Sequence, residues 1–408
     1  WLKLDGPVRN PKMLGHDIHR TLRGVRVVSL ETFTSRYLAR PIVSASATSS
    51  YVEPAFLPRT EEVDPSLIDQ FGRRHRYLRV SLTDKCNMRC KYCMPEDNEE
   101  PLDSTSDPSL LTATELHRLV SLFVDLGVRK VRLTGGEPTI RKDFPEILEN
   151  LGQLNARVPL SLGITTNGVR LLRLLPKLHS AGVTNLNLSL DTLVGAKFPL
   201  LTRRPEKWHT RVMEAMQAAG QDPRFRLKVN CVLMRGVNED EIGDFVNLTE
   251  HLDIEVRFLE FMPFDGNSWS AGRLVPGDEI IGTMQKHLQN RDLFATRLPP
   301  DSLNDVARLW KVPNWKGRIG LITSMTDAFC GGCNRIRLTA EGEVRNCLFG
   351  EEGWNLRDQI RTGADDAALV KTIATGVGKK FSKLGGKRDM HELQERGSKA
   401  LTMMTLGG

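Results

Sequence analysis

The stretch Asp84-Lys85-Cys86-Asn87-Met88-Arg89-Cys90-Lys91-Tyr92-Cys93-Met94-Pro95-Glu96 sets the reading of this chain. Three cysteines stand at C-x3-C-x2-C spacing, directly after an alternating apolar run at residues 78–83. Iron–sulfur clusters are usually held by four thiolates. Three thiolates on one short loop can hold three irons of a cubane and leave the fourth open, and an open metal position is where a small molecule can ligate and react. Zinc favours Cys-x2-Cys pairs or Cys/His quartets. No fourth Cys or His stands nearby, so a cluster is favoured over a zinc knuckle or three plain loop thiols.

Downstream of this loop the sequence takes up a β/α rhythm. Strand-like runs fall at residues 78–83, 128–134, 160–166, 185–191, 227–233 and 254–262, with helix-like stretches at 113–126, 143–154, 171–181, 207–219 and 239–251. Regular alternation of this kind predicts a parallel sheet. Six units fit between residues 78 and 262, whereas a full eight-unit barrel takes about 250 residues. The expected architecture is therefore α/β, a partial six-stranded (β/α)6 TIM-like barrel over residues 70–262.

Period-2 reading divides each strand into two faces. Leu78, Val80 and Leu82 oppose Arg79; Val131 and Leu133 oppose Lys130 and Arg132; Ile164 opposes Thr165. Leu186 and Leu188 oppose Asn187 and Ser189, Val229 and Cys231 oppose Lys228, and Val256 and Phe258 oppose Arg257. If the apolar set faces the helices, the polar set lines the lumen. Any one cation there reads equally well as a solvated rim charge. Five on one inferred face, Arg79, Lys130, Arg132, Lys228 and Arg257, imply an anionic guest, because isolated buried charges are costly. Cys231 reads as a small core residue. Gly135-Gly136-Glu137-Pro138-Thr139 follows the second strand; its glycines allow close backbone approach and Glu137 can accept from an ammonium.

Residues 263–408 lose the rhythm and are expected to form an α+β domain. It contains a second trio, Cys330, Cys333 and Cys347, again without a fourth Cys. A hairpin about Gly342 would carry Cys347 back towards Cys333. A zinc site completed by a remote His is the competing reading. Arg335 and Arg337, between Cys333 and Cys347, share a face by period two and add to the cationic wall. The basic, glycine-rich segment 376–388 is expected as a mobile loop. The terminal Gly407-Gly408 has no side chains, and reads either as a frayed end or as a tail able to thread into a narrow site.

Composition constrains the rest. Seven cysteines in two trios plus Cys231 suit thiolate ligands in a reducing compartment better than a secreted disulfide framework. The net charge is +7, and residues 1–60 supply +5 of it with nine Lys/Arg against four Asp/Glu. The remainder is close to neutral, so composition does not call for nucleic acid. No apolar run approaches the length of a membrane span. Residues 18–52 hold five arginines, ten Ser/Thr and one acid, a composition expected of an organelle transit peptide with a linker to residue 60; a plain N-terminal extension is the alternative. The chain opens on Trp1 rather than Met, so its natural start is expected upstream.

The cysteine loop, with aromatic Tyr92 before the third Cys, and the Gly-Gly-Glu after the next strand resemble those of radical S-adenosylmethionine (SAM) enzymes. The second trio followed by Arg335-Ile336-Arg337, with the Gly-Gly terminus, resembles the GTP 3′,8-cyclase branch of that superfamily, which opens molybdenum cofactor biosynthesis. The resemblance covers about residues 70–408. It implies two [4Fe-4S] clusters, one on Cys86, Cys90 and Cys93 that cleaves SAM to a 5′-deoxyadenosyl radical, and one on Cys330, Cys333 and Cys347 that holds guanine. It implies SAM contacts from Tyr92, Gly136, Ser189 and Met262. It implies GTP contacts from Arg79, Lys130, Arg132, Thr165, Lys228, Arg257 and Arg335-Ile336-Arg337, with Gly407 and Gly408 assisting catalysis. An external electron donor and a downstream cyclic pyranopterin monophosphate synthase are implied partners, a homodimer is a possible assembly, and the leader points to mitochondria. Two other readings compete. A twin-cluster peptide maturase usually carries more auxiliary cysteines and needs no cationic lumen. A non-enzymatic zinc-binding module would hold zinc and cleave no SAM.

Overall fold

A computed structural model describes residues 63–94, 107–264, 266–302, 304–389, 392–393 and 403–406. The transit-peptide reading and the Gly407-Gly408 tail lie outside these residues. The first half alternates as the sequence pattern requires: β1 Tyr77–Ser81, α1 Ala113–Asp125, β2 Lys130–Thr134, α2 Phe144–Arg157, β3 Ser161–Thr166, α3 Leu171–Ser180, β4 Val183–Ser189, α4 Lys207–Gln221, β5 Arg226–Leu233, α5 Ile242–His251 and β6 Ile254–Glu260. These strands lie side by side in chain order and all pair in parallel.

Local chemistry explains the elements. Thr112 caps α1 by accepting from the Glu115 amide at 3.1 Å, and Glu115 accepts from the Thr112 amide at 2.8 Å, a reciprocal capping box. The helix then buries Leu116, Leu119, Val120 and Phe123, a stripe at helical spacing. On β1, Leu78 and Val80 are fully buried while Arg79 between them is half-buried. Cys231 lies in the core with no exposure, as expected from its face.

The second half joins the same sheet. α6 spans Gly277–Gln289, followed by β7 Thr296–Leu298, β8 Arg308–Lys311 and β9 Arg318–Ile322. β9 pairs in parallel with β6, and β8 and β7 add antiparallel beyond it. β10 Arg335–Leu338 pairs in parallel with β1, and β11 Glu343–Arg345 and β12 Trp354–Asn355 continue antiparallel. The result is one mixed, mainly parallel sheet of twelve strands among the described residues. The turn from β10 to β11 passes Gly342 at φ +81°, where a side chain would be strained.

Two features depart from the sequence reading. The expected loss of rhythm after residue 262 hid α6, whose buried stripe is only Ile280, Met284 and Leu288 beside Gly277. The segment 376–388 is packed rather than a mobile loop. Helix α7, Asp366–Gly378, occupies its start, and Lys380, Leu384 and Lys387 are buried. Its backbone carbonyls are held from outside: Gln70 donates to Lys380 at 3.0 Å, and Arg73 donates to Phe381 at 2.7 Å and Ser382 at 3.0 Å. Lys387 reaches Glu351 at 2.5 Å.

Glu260 ties the end of β6 to the second half. Its carboxylate is fully buried and accepts from the amides of Gly277, Met325 and Thr326 and from the Thr326 hydroxyl. Glu260→Ala strands these donors, each worth about 1.5–3 kcal/mol when bonded to a charged group. A loss of more than about 3 kcal/mol in urea unfolding is expected; a change under about 0.5 kcal/mol would show that solvent replaces the carboxylate freely.

Candidate functional site

The inner face of the sheet is set by strand register. Arg337 on β10 is level with Arg79 on β1, and Arg79 with Arg132 on β2. Arg132 is level with Gly163 on β3, and a Cβ at Gly163 would approach the Arg132 guanidinium at 3.3 Å and the Asn185 carbonyl at 2.9 Å. Glycine there makes room for a buried arginine. A second row runs Thr165, Asn187, Lys228, Glu255 and Arg318 across β3, β4, β5, β6 and β9. In the next row Asn230 is level with both Ser189 and Arg257. Arg335 is level with Tyr77, and Tyr77 with Lys130.

All nine residues expected to meet a nucleotide lie on β10, β1, β2, β3, β5 and β6, within one run of neighbouring strands, although Ile336 points into the core with no exposure. The other eight share the polar face. Several buried polar atoms on that face have no hydrogen-bond partner among the described residues. They are one amino group of Arg132, Nε of Arg337, the Thr165 hydroxyl and the amide oxygens of Asn187 and Asn230. Buried polar groups are normally bonded, so these atoms form a built slot for a polar guest.

Two residues on this face were missed. Tyr77 is the first residue of β1, and its hydroxyl accepts from Arg132 Nε at 2.7 Å while Lys130 Nζ sits 4.8 Å from its ring centre. Burial disfavours its phenolate, but Arg132, Arg79, Lys130 and Arg335 outweigh this and bring the phenol down to about 6. Glu255 is buried and pairs with Arg257 and with Arg318 at 2.8 Å. Burial opposes its charge, and Arg257, Lys228 and Arg318 still hold it down at about 2. The face is thus cationic, with Glu255 as a built-in anion and Tyr77 as an easily ionised phenol. Burial, then Arg257, brings Lys228 down to about 7, and burial, then neighbouring arginines, brings Arg79 to about 9.

The first cysteine trio follows β1. Its base is set by backbone contact with the glycine turn: Gly136 N–H donates to Thr83 at 2.7 Å and Glu137 N–H to Lys85 at 2.8 Å. Gly135 has φ +134°, and a Cβ at Gly136 would run into the Lys85 carbonyl. Glu137 is buried and accepts from Thr139, the Thr166 hydroxyl and the Asn167 amide. Its carboxylate thus braces β2 against β3. Asn167 Nδ2 lies 3.8 Å from Cys86 Sγ, and the Met88 amide donates to that sulfur at 3.4 Å. Tyr92 bonds to Asp191 and packs by Leu201, Val232, Met234 and Phe261. Burial pushes Asp191 up to about 6.

Burial, then Glu137, pushes the Cys86 thiol up to about 12, and burial pushes Cys90 and Cys93 up as well. Cys86 and Cys93 each bear on Cys90, so the three sulfurs stand close enough to face one cationic centre, and such a centre deprotonates its thiols outright. The donor set fits an iron–sulfur cluster in that respect. Among the described residues, no three His, Cys, Asp or Glu side chains converge tightly enough to hold a single metal ion.

The second trio differs. Cys333 stands two residues before β10, whose start is level with that of β1, whereas Cys86 lies beyond the end of β1. The two trios therefore lie towards opposite ends of one strand pair, with the arginine row between. Burial disfavours the Cys333 thiolate, but Lys380, Arg335 and Arg337 outweigh it and bring the thiol down to about 7. Cys330 and Cys347 pack against an apolar cluster of Met262, Phe264, Phe349, Leu384 and Leu393. Met262, expected at a SAM contact, is thus built into packing that also touches the second trio.

Comparison with known proteins follows this geometry. The Radical SAM superfamily model matches residues 80–249, and the Molybdenum Cofactor Synthesis C model matches residues 254–384. A protein of Arabidopsis thaliana named "GTP 3',8-cyclase, mitochondrial" is 46% identical over 346 residues, covering 85% of this chain and 84% of that protein. This chain belongs to the GTP 3′,8-cyclase family. A "GTP 3',8-cyclase" of Rhodopirellula baltica is 36% identical, covering 91% of this chain and 99% of that one. "Molybdenum cofactor biosynthesis protein 1" of Bos taurus is 45% identical over 81% of this chain, which spans only 50% of that protein's length. Among solved structures, Streptococcus suis SuiB bound to its precursor peptide SuiA superposes with a TM-score of 0.50 at 13% identity, over 76% of this chain and 68% of that one. That likeness shows the fold alone. Radical SAM membership implies a [4Fe-4S] cluster and SAM for this cyclase family member.

Gly136→Ala forces the Lys85 carbonyl away from the glycine turn and tilts the base of the first trio. After anaerobic reconstitution the variant is expected to keep less iron than wild type and to bind SAM at least about tenfold more weakly, a loss of about 1.4 kcal/mol. Unchanged iron and affinity would show that the loop tolerates the shift.

Proposed function

We propose that this chain cyclises GTP to (8S)-3′,8-cyclo-7,8-dihydroguanosine 5′-triphosphate, the first step of molybdenum cofactor biosynthesis. One observation carries the reading: the register row Arg337, Arg79 and Arg132 runs between two cysteine trios, with a buried donor of Arg337 and one of Arg132 lacking a partner among the described residues. A triphosphate brings about four negative charges, and charge-assisted hydrogen bonds from Arg and Lys suit it. β1 to β6 are read as a partial barrel whose lumen is this face, with residues 263–408 as an auxiliary cluster domain completing its wall.

Roles follow from chemistry. Cys86, Cys90 and Cys93 would hold one [4Fe-4S] cluster, and Cys330, Cys333 and Cys347 a second. When bound, the first cluster and SAM supply a carbon-centred radical. The chain's own residues bind, orient and exclude water. Tyr92, Gly136, Ser189 and Met262 are assigned to SAM. Arg79, Lys130, Arg132, Thr165, Lys228, Arg257, Arg335 and Arg337 are assigned to GTP, with Ile336 fixing the strand between the last two. Gly407-Gly408 is assigned to the active site. Mitochondrial location follows the name of the plant relative, and an external donor must supply the electron.

Anaerobic analysis is expected to find about eight irons per chain, the content of two cubanes; two zincs would end the proposal. Arg335→Ala should lower kcat/KM for GTP by about tenfold or more, about 1.4 kcal/mol of lost binding, while SAM cleavage is kept. Collapse of SAM cleavage alone would reverse the assigned roles. GTP binding should also depend on pH. Lys228 titrates at about 7 in the free protein, and a phosphate beside it favours the ammonium. Affinity should therefore fall as pH rises from 7 to 9, with proton uptake on binding near pH 8, read by calorimetry in buffers of different ionisation enthalpy. No proton uptake would remove Lys228 from the triphosphate site.

A further inference from the structure

The geometry points to Lys380 as a positioning residue for the second metal centre, donating a hydrogen bond to the Cys333 thiolate and stabilising the reduced, more negative form of the cluster. The inference rests on the proposed second cluster, and on residues to which neither the sequence motifs nor the family resemblance gives a role.

Lys380 is 3% exposed. Its Nζ lies 3.5 Å from Cys333 Sγ and 2.9 Å from the Arg335 carbonyl oxygen. Both acceptors flank the start of β10, so one ammonium fixes the cysteine and the strand that carries Arg335 and Arg337. Burying a lysine is costly unless a negative partner meets it. No carboxylate pairs with it among the described ion pairs. The Cys333 sulfur is the one side-chain acceptor that the described hydrogen bonds give its ammonium.

The lysine is itself held in place. Its carbonyl accepts from Gln70 Nε2 at 3.0 Å. The next two carbonyls, of Phe381 and Ser382, accept from Arg73, which also donates to the Cys330 carbonyl at 3.0 Å. Arg73 is fixed by buried Asp69 at 2.7 Å, and Asp69 also meets His75 Nε2 at 3.1 Å. The segment entering β1 therefore clamps both the first cysteine of the second trio and the turn carrying Lys380. Hydrogen bonds to ligating sulfurs, net charge and solvent exposure set the potential of such clusters. A buried ammonium bonded to one thiolate acts through the first two.

The test uses the full chain with Cys86→Ala, Cys90→Ala and Cys93→Ala, so that only the second centre is read. Reconstituted anaerobically, this background should hold about four irons, one cubane. If it folds by circular dichroism and holds none, the two-cluster reading fails, whatever Lys380 does. At a fixed poise, Lys380→Met should lower the reduced-to-oxidised ratio, followed by electron paramagnetic resonance, by roughly tenfold, as expected for losing a hydrogen bond to a charged group. Lys380→Arg, which keeps charge and donor, should restore most of it. If the Met variant sheds its iron, Lys380→Gln carries the comparison, with a shift in the same direction expected. An unchanged ratio in an iron-loaded Met or Gln variant overturns the inference, as does an Arg variant no better than Met.

Discussion

Parallel pairing of β10 with β1 is the constraint on which the rest depends. Without it Arg337 would not stand level with Arg79, nor would the second cysteine trio be carried to the strand that leads into the first. Backbone hydrogen bonds fix this register, and a slip of one residue would turn Arg335 and Arg337 into the core and Ile336 out of it. The apolar content of β10 therefore enforces the placement of its arginines. Ile336 binds nothing polar, yet it sets which way its two neighbours face.

The cations so assembled repel one another, and the fold handles this in three ways. Glu255 is placed as a permanent counterion beside Arg257 and Arg318. Tyr77 is surrounded by positive groups until its phenol ionises easily. Lys228 approaches neutrality. Each device eases the crowding of like charges on this face, and the last two can reverse beside an anion, because a new negative charge favours the protonated forms. A strongly charged guest is thus accommodated by shifting protons as well as by moving side chains.

Much of this was legible in the sequence because strands have period two and the apolar residues are regular. The six strands are legible to within two residues at each end, and the shared face of their cations follows from the same period. Tyr77 gives little signal, because the apolar alternation begins at Leu78 while the strand itself begins one residue earlier. Glu255 shares a face with Arg257 by period two, but its service as a counterion to Arg318 as well shows only once β9 is paired with β6. Gly163 gave no signal, since only the neighbouring Arg132 shows why a side chain there would interfere. The buried place of Lys380 was not readable either. A basic, glycine-rich segment looks solvated until its partners, Arg73 and Gln70, more than three hundred positions away, are brought against it.

The order of the sheet has a consequence for synthesis. β1 leaves the ribosome early, with β2 soon available on one side, but its other side waits for residue 335. Throughout that interval one edge of β1 is bare, and bare edges recruit foreign strands. Chaperone holding of the nascent chain until residue 335 has emerged would keep that edge from foreign strands.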